Sequence, residues 1–264
     1  MSKDTPKASG IETMAEIDAR IRKTFSALST IVKGVIAGHL RSVVVSGAPG
    51  CSKTWTIEHE LNRGQAMEKI KFNSVKGTMS AIKLYQALYT SQSRGDVLLI
   101  DDCDKIFDNE ESLNILKASL DTGDVRMVHW NKESSILEQA GITSPFEFEG
   151  SVIFVTNKDF AAEIAGGSKM SVHYEALIDR SLYLDLGIHT RREIIVRISQ
   201  VIFSDEFLSE NSLTADEAKS IMIWLNKHQD ELRAVSIRTV LHLMSLVKVD
   251  GSWESLADVM MLKR

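Results

Sequence analysis

The sequence predicts an α/β fold: a parallel sheet flanked by helices, followed by a small all-helical domain. Short, continuous apolar runs such as SVVVS (42–46), DVLLIDD (96–102) and SVIFVTN (151–157) suit strands buried on both faces. Segments between these runs repeat apolar residues every three or four positions, the spacing of one helical face. Strand and helix signals therefore alternate through about residue 187, and beyond it only the helical spacing persists.

In chain order, residues 1–10 are polar and are expected to form a disordered tail. Met14, Ile17, Ile21, Phe25, Leu28, Val32 and Val35 mark a first helix. The strand at 42–46 runs into a glycine turn and then a helix from Lys53 that is expected to end near Gly64. IKFNSV (70–75) is a second strand, MSAIKLYQALYT (79–90) a helix, DVLLIDD a third strand, and ESLNILKASL (111–120) a helix. VRMVHW (125–130) and FEFEG (146–150) are expected to pair as a hairpin with 131–145 as its long connection. SVIFVTN and LYLDL (182–186) complete the strands. Helical patterns then cover 191–204, 214–229, 237–248 and 252–262. The expected domains are a core over 11–187 that includes the N-terminal helix, and a helical lid over 188–264.

Composition narrows the function. The net charge is −5, whereas a protein that clings to any nucleic acid is basic, so contact with DNA or RNA must be local. Two cysteines, Cys51 and Cys103, are too few for a disulfide scaffold in 264 residues and read as reduced thiols. The seven histidines show no zinc-type spacing. No apolar run reaches the roughly 18 residues of a membrane span, and MSKDTPKASG has no signal-peptide core. A cytoplasmic protein without a membrane partner is expected.

The chemistry concentrates at GAPGCSKT, which is Gly47, Ala48, Pro49, Gly50, Cys51, Ser52, Lys53 and Thr54. A buried strand feeding a glycine turn and then a helix aims backbone N–H groups at one point, where the helix terminus adds positive partial charge. Phosphate oxygens suit that point. Lys53 can reach the β- and γ-phosphates of ATP, and the Thr54 hydroxyl can ligate Mg²⁺. Serine replaces the glycine that usually precedes the lysine; it is tolerated provided the backbone there is already helical and needs no positive φ. Asp101 and Asp102, at the end of an apolar strand, are costly unless they face a metal or solvent. Asp101 is the candidate for holding Mg²⁺, and Asp102 for orienting the attacking water or taking its proton. Asp104 fits a helix cap better. Asn157 ends the next buried strand, where it can position water or simply make a turn.

These residues resemble an AAA+ ATPase, a P-loop NTPase with a helical lid. GAPGCSKT resembles its Walker A loop, VLLIDD its Walker B strand and VIFVTN its sensor 1. ALIDRSLYLDL (176–186) resembles the arginine-finger segment and SIRTVLHL (236–243) sensor 2. The likeness covers roughly residues 40–250. It implies that Arg238 touches the γ-phosphate of its own subunit and that Arg180 reaches a neighbour's ATP. Plainer readings are an ion pair of Arg180 with Asp179 or Asp185 and an exposed helical arginine at 238. Arg191 and Arg192 are competing intersubunit candidates. The hairpin before sensor 1 resembles the branch that holds MoxR-like proteins, McrB-like motors and MCM helicases, whose small single-module members are often phage-encoded.

Two departures bear on function. Asp102 stands where most AAA+ proteins have glutamate, although the DnaA initiator family also carries Asp-Asp. Its oxygen is set back by roughly 1 Å, a displacement that can cost about a hundredfold in rate. The loop after the second strand, SVKGTMS (74–80), has Lys76 and lacks the aromatic that protein-threading relatives place beside glycine. A lysine there suits a phosphate backbone, or is a solvated loop residue.

The reading is an ATP-hydrolysing homo-oligomer, most often a hexameric ring in this family. It would remodel or move along a nucleic acid or nucleoprotein, gripped through the Lys76 loop or the 125–150 hairpin, or act with an unknown protein partner. The alternatives are an ATP-driven assembly switch or loader with little hydrolysis, a protein-remodelling ATPase, and a small-molecule P-loop kinase.

Overall fold

The computed structural model describes residues 12–249 and 251–263, and the tail expected at 1–10 lies outside them. The chain forms two compact units. One joins the segment through Thr24 to the region from Ile188 onward, and the other spans Phe25–Gly187. Helix α1 (Met14–Ile36) begins in the first and ends in the second. Of its expected apolar face, Ile17, Ile21, Phe25, Leu28, Val32 and Val35 are buried, while Met14 in the first turn is exposed.

The Phe25–Gly187 unit alternates as its sequence pattern requires. Its elements are β1 (Ser42–Ser46), α2 (Lys53–Ala66), β2 (Lys71–Lys76), α3 (Ala81–Thr90), β3 (Asp96–Asp101), α4 (Glu110–Ser119), β4 (Met127–Val128), α5 (Ser135–Gln139), β5 (Phe146–Glu147), β6 (Ser151–Thr156), α6 (Phe160–Ala165), α7 (Ser171–Asp179) and β7 (Leu182–Asp185). A five-stranded sheet has the order β2-β3-β6-β1-β7, with every pair parallel. The interior strands β1 and β6 are buried along their whole length, as their unbroken apolar runs dictate. The edge strand β2 mixes exposed and half-buried residues, which is where KFNSVK can carry a lysine at each end.

One layer of the core joins α3, α4 and α7 to the sheet through Leu84, Leu88, Leu98, Leu116, Phe154 and Leu177. Phe160 extends that layer by edge-on contact with Phe107 at 5.1 Å. Helix α2 runs to Ala66, past the expected stop at Gly64. Within the helix, the missing Cβ of Gly64 leaves room for Ile36, whose Cδ1 would lie 3.1 Å from an added Cβ. The expected hairpin is present as the short antiparallel pair β4–β5, Met127 opposite Glu147 and Val128 opposite Phe146. Inside its connection, Ser134 caps α5 by accepting from the Leu137 N–H. Helices α6 and α7 stand where the sequence pattern predicts no element; both are short, and Asp159 starts α6 by accepting from the Ala162 N–H.

The helical unit contains α8 (Arg191–Ile202), α9 (Asp205–Glu210), α10 (Ala215–His228), α11 (Ile237–Val249) and α12 (Trp253–Met261). Ile198, Ile202, Phe207, Ile221, Trp224, Leu225, Leu243 and Trp253 form its core. No helix among the described residues is long and apolar enough to cross a membrane.

A capping box starts α8: Thr190 accepts from the Glu193 N–H, and Glu193 accepts from the Thr190 N–H. The Glu193 carboxylate also accepts from the His189 N–H at 2.9 Å and pairs with Arg20. Burial alone would push this carboxyl up, but these hydrogen bonds outweigh it and hold it at about 2 against an ordinary 4.5. A depressed carboxyl stabilises the folded form above its unfolded pKa and loses that contribution as pH falls through its folded value. Denaturant unfolding of the chain should therefore lose on the order of 1–2 kcal/mol between about pH 5 and about pH 2 through this group, solvent screening taking up part of the full effect. Glu193→Gln should flatten that slope; an unchanged slope would remove Glu193 as its cause.

Candidate functional site

Strand register sets the site at the C-terminal edge of the sheet, the usual ligand edge of open parallel sheets. Ser46 ends β1 level with Thr156 of β6 and Asp185 of β7, and Asp101 ends β3 level with Val155 and Lys76. The Ser46 hydroxyl donates to the Lys158 carbonyl at 2.6 Å, fixing the point where β1 turns. Gly47 is next. A Cβ there would sit 3.2 Å from the Leu186 Cβ, so a larger residue would crowd Leu186.

The loop from Gly47 to Ser52 leads directly into α2. Gly50 has φ +73° and Ser52 has φ +69°. The condition under which serine fits, helical backbone without positive φ, is not met: Ser52 occupies the left-handed region, where an L residue is strained. Ser52→Gly should relieve that strain and raise thermal stability by about 1 kcal/mol, while a β-branched residue should lower it. A glycine variant no more stable than the parent would contradict this account.

Lys53 opens α2 and is buried, with 6% of its surface exposed. Its ammonium donates to the Gly47 carbonyl at 2.6 Å, the Ala48 carbonyl at 3.0 Å and Asn157 Oδ1 at 2.8 Å. Burial pulls its pKa below the lysine range, against the opposing pull of Cys51, Asp102 and Asp101. The Asn157 Nδ2 in turn donates to Asp102 Oδ1 at 2.9 Å. Lys53, Asn157 and Asp102, 104 and 49 residues from Lys53 along the chain, thus form one line of hydrogen bonds. Asp102 itself has φ +52°, a region that aspartate enters more readily than most residues.

Beside that line, the Thr54 hydroxyl donates to the Asp101 carboxylate at 3.0 Å. Asp101 is 4% exposed, and burial pushes its carboxyl above the usual range while Thr54 opposes the shift. A buried carboxylate and a hydroxyl at this separation are hard oxygen donors of the kind Mg²⁺ takes. Asp104 makes its own contact, accepting from the Thr156 hydroxyl at 2.6 Å, and starts a 3-10 turn over Asp104–Asp108.

Two neighbours of the site, Lys158 and Tyr174, escape the sequence patterns, and a third, Lys76, stands elsewhere than expected. Lys76 lies at the end of β2, not in the following loop, and pairs with Glu58 at 2.8 Å and Asp101 at 3.7 Å. Lys158 pairs with Asp108 at 2.7 Å, and the Tyr174 hydroxyl reaches the same carboxylate at 3.1 Å. Only strand register and helix packing bring these groups together, which spacing along one chain does not report.

The arginines are placed as follows. Arg180 follows α7 and donates to the Ala176 carbonyl at 2.9 Å. Arg238 is exposed near the start of α11, in the helical unit. Arg191 bonds to the Gln229 carbonyl and Arg192 to the Met14 sulfur, both within the helical unit.

Over 247 residues, the chain is 39% identical to the 36.7 kDa protein of the nrdC-mobD intergenic region of Enterobacteria phage T4, covering 93% of this chain and 76% of the phage protein. No protein-family model matches. Among solved structures, AMPPCP-bound DnaA from Aquifex aeolicus aligns with a TM-score of 0.52 at 14% identity, over 88% of this chain and 64% of that one. NtrX from Brucella abortus aligns with a TM-score of 0.50 at 14% identity, over 89% of this chain and 54% of that one. The chain thus spans about half to two thirds of the length of these solved chains.

Proposed function

We propose that this chain, which belongs to the family of the phage T4 36.7 kDa protein and has the AAA+ P-loop fold, binds and hydrolyses ATP with Mg²⁺. The supporting observation is the convergence of Lys53, Asn157 and Asp102 in one line of hydrogen bonds, flanked by the Thr54–Asp101 pair.

In this reading the loop from Gly47 to Thr54, with the Lys53 ammonium, grips the β- and γ-phosphates. Thr54 and Asp101 hold Mg²⁺, which neutralises phosphate charge when bound. Asp102 keeps one oxygen on the Asn157 amide and uses the other to orient water and draw its proton. The water oxygen bonds to the γ-phosphorus as the bond from that phosphorus to the β–γ bridging oxygen breaks, giving ADP and phosphate. Arg180 supplies positive charge to a neighbouring subunit's ATP, and Arg238 contributes the lid's contact with the γ-phosphate. ATP then sits between subunits of a homo-oligomer, a hexameric ring by family habit. The ring remodels or moves along a nucleic acid or nucleoprotein through the 125–150 hairpin or the segment at Lys76, with or without a protein partner. The β4–β5 pair directly before β6 supports membership of the MoxR/McrB/MCM-like branch, and the T4 relative supports a small phage-type protein.

A second reading is an ATP-driven assembly switch or loader with little turnover. The short Asp102 side chain, held by Asn157, favours it. An ATPase assay with and without single-stranded DNA, double-stranded DNA and RNA, run beside mass measurement plus and minus ATP, separates the two. Turnover raised by one polymer supports the motor. ATP-dependent growth in mass with negligible turnover supports the switch. Neither growth nor turnover overturns both.

A further inference from the structure

On the flank of the same site, four residues close a ring. Thr54 and Glu58 lie one turn apart on α2. The Thr54 hydroxyl reaches Asp101 at 3.0 Å, Lys76 Nζ lies 3.7 Å from Asp101 Oδ2, and Lys76 Nζ lies 2.8 Å from Glu58 Oε1. Lys76 is the last residue of β2, in register with Asp101, and Gly77 donates its N–H to the Asp101 carbonyl at 3.2 Å. The segment between β2 and α3 is thus tied to Asp101 twice, once by backbone and once by the ammonium.

A divalent cation on the Asp101 carboxylate and an ammonium 3.7 Å from it repel each other. Asp102 and Glu58 also bear on Asp101 and attract either cation, while the buried Lys53 ammonium, itself attracted to Asp101, opposes a metal equally in every Lys76 variant. We propose that Lys76 is a positioning residue that competes with the metal for Asp101. When metal takes Asp101, the ammonium stays with Glu58 and releases its hold on the carboxylate, so metal occupancy reaches the segment that follows β2. This rests on Thr54 and Asp101 being the metal-holding pair. It also changes the meaning of Lys76, which acts as a counter-ion inside the site before it offers charge to any partner.

The direction of effect follows from Coulomb's law. Lys76→Met keeps the stem and removes the charge, so it should tighten the site for Mg²⁺. With the lysine half exposed, the gain is about fivefold to tenfold. Lys76→Arg should restore the parent behaviour. Glu58→Gln frees the ammonium for Asp101 and removes an attracting charge, so it should weaken Mg²⁺.

The test is calorimetric binding of a non-hydrolysable ATP analogue to the full chain across a Mg²⁺ series. The expected result is a Mg²⁺ midpoint lowered about fivefold to tenfold in Lys76→Met, unchanged in Lys76→Arg and raised in Glu58→Gln. If the parent binds the analogue in a Mg²⁺-dependent way but Lys76→Met leaves the midpoint in place, the inference is overturned and the ATP reading stands. If the parent shows no Mg²⁺-dependent binding, the metal-pair reading itself fails, and the inference with it.

Discussion

Replacing Lys53 by alanine is expected to abolish ATP turnover and to weaken ATP binding at least tenfold. The ammonium is buried beside the loop, and it holds two loop carbonyls and Asn157 together. In the proposed ATP reading, its removal deletes the charge that would meet the phosphates. It also frees Asn157, and through it the Asp102 carboxylate. Losing one such preorganised charge at a phosphoryl-transfer site costs about a hundredfold to a thousandfold in rate. The fold should survive, because burial already penalises the charged amine. Lys53→Met, which keeps the apolar stem, should be as inactive as Lys53→Ala while unfolding at nearly the parental temperature. Phosphate release and thermal unfolding measured on both variants check this. Parental turnover in either would remove Lys53 from the site.

Arg180→Ala should cut turnover by about a thousandfold or more while ATP binding stays within a few fold of the parent. The guanidinium bonds to the Ala176 carbonyl at the end of its own helix, so its loss leaves the sheet and the phosphate loop untouched. The effect should pass between subunits. Mixing Arg180→Ala with excess Lys53→Ala should restore turnover, because each variant supplies the group that the other lacks. A mixture as inactive as its components, or an Arg180→Ala protein with parental turnover, would contradict a role in trans.

Much of the fold was legible because buried parallel strands leave a plain trace. VVV, VLLI and VIFV are short, wholly apolar runs rich in β-branched residues, as interior strands carry, and their order along the chain sets Lys53, Asp101, Asp102 and Asn157 at one edge. The hairpin before β6 was also readable, from two short β-rich runs. Helices α6 and α7 were not. Each is so short that a cap such as Asp159 and packing against the core, here through Phe160 and Tyr174, outweigh periodicity. The left-handed backbone at Ser52 was missed for a related reason. Serine carries no intrinsic signal for positive φ, and the turn imposes it. The Glu58–Lys76–Asp101 contacts stayed hidden because they depend on the register of an edge strand and the phase of a helix together.

Titration calorimetry of the purified chain with ATP, with and without millimolar Mg²⁺, tests the central claim most directly. The account predicts saturable binding that Mg²⁺ strengthens and that Lys53→Ala weakens at least tenfold. Absence of any heat of binding for ATP or ADP with Mg²⁺ present, from a chain whose circular dichroism shows it folded, would contradict it.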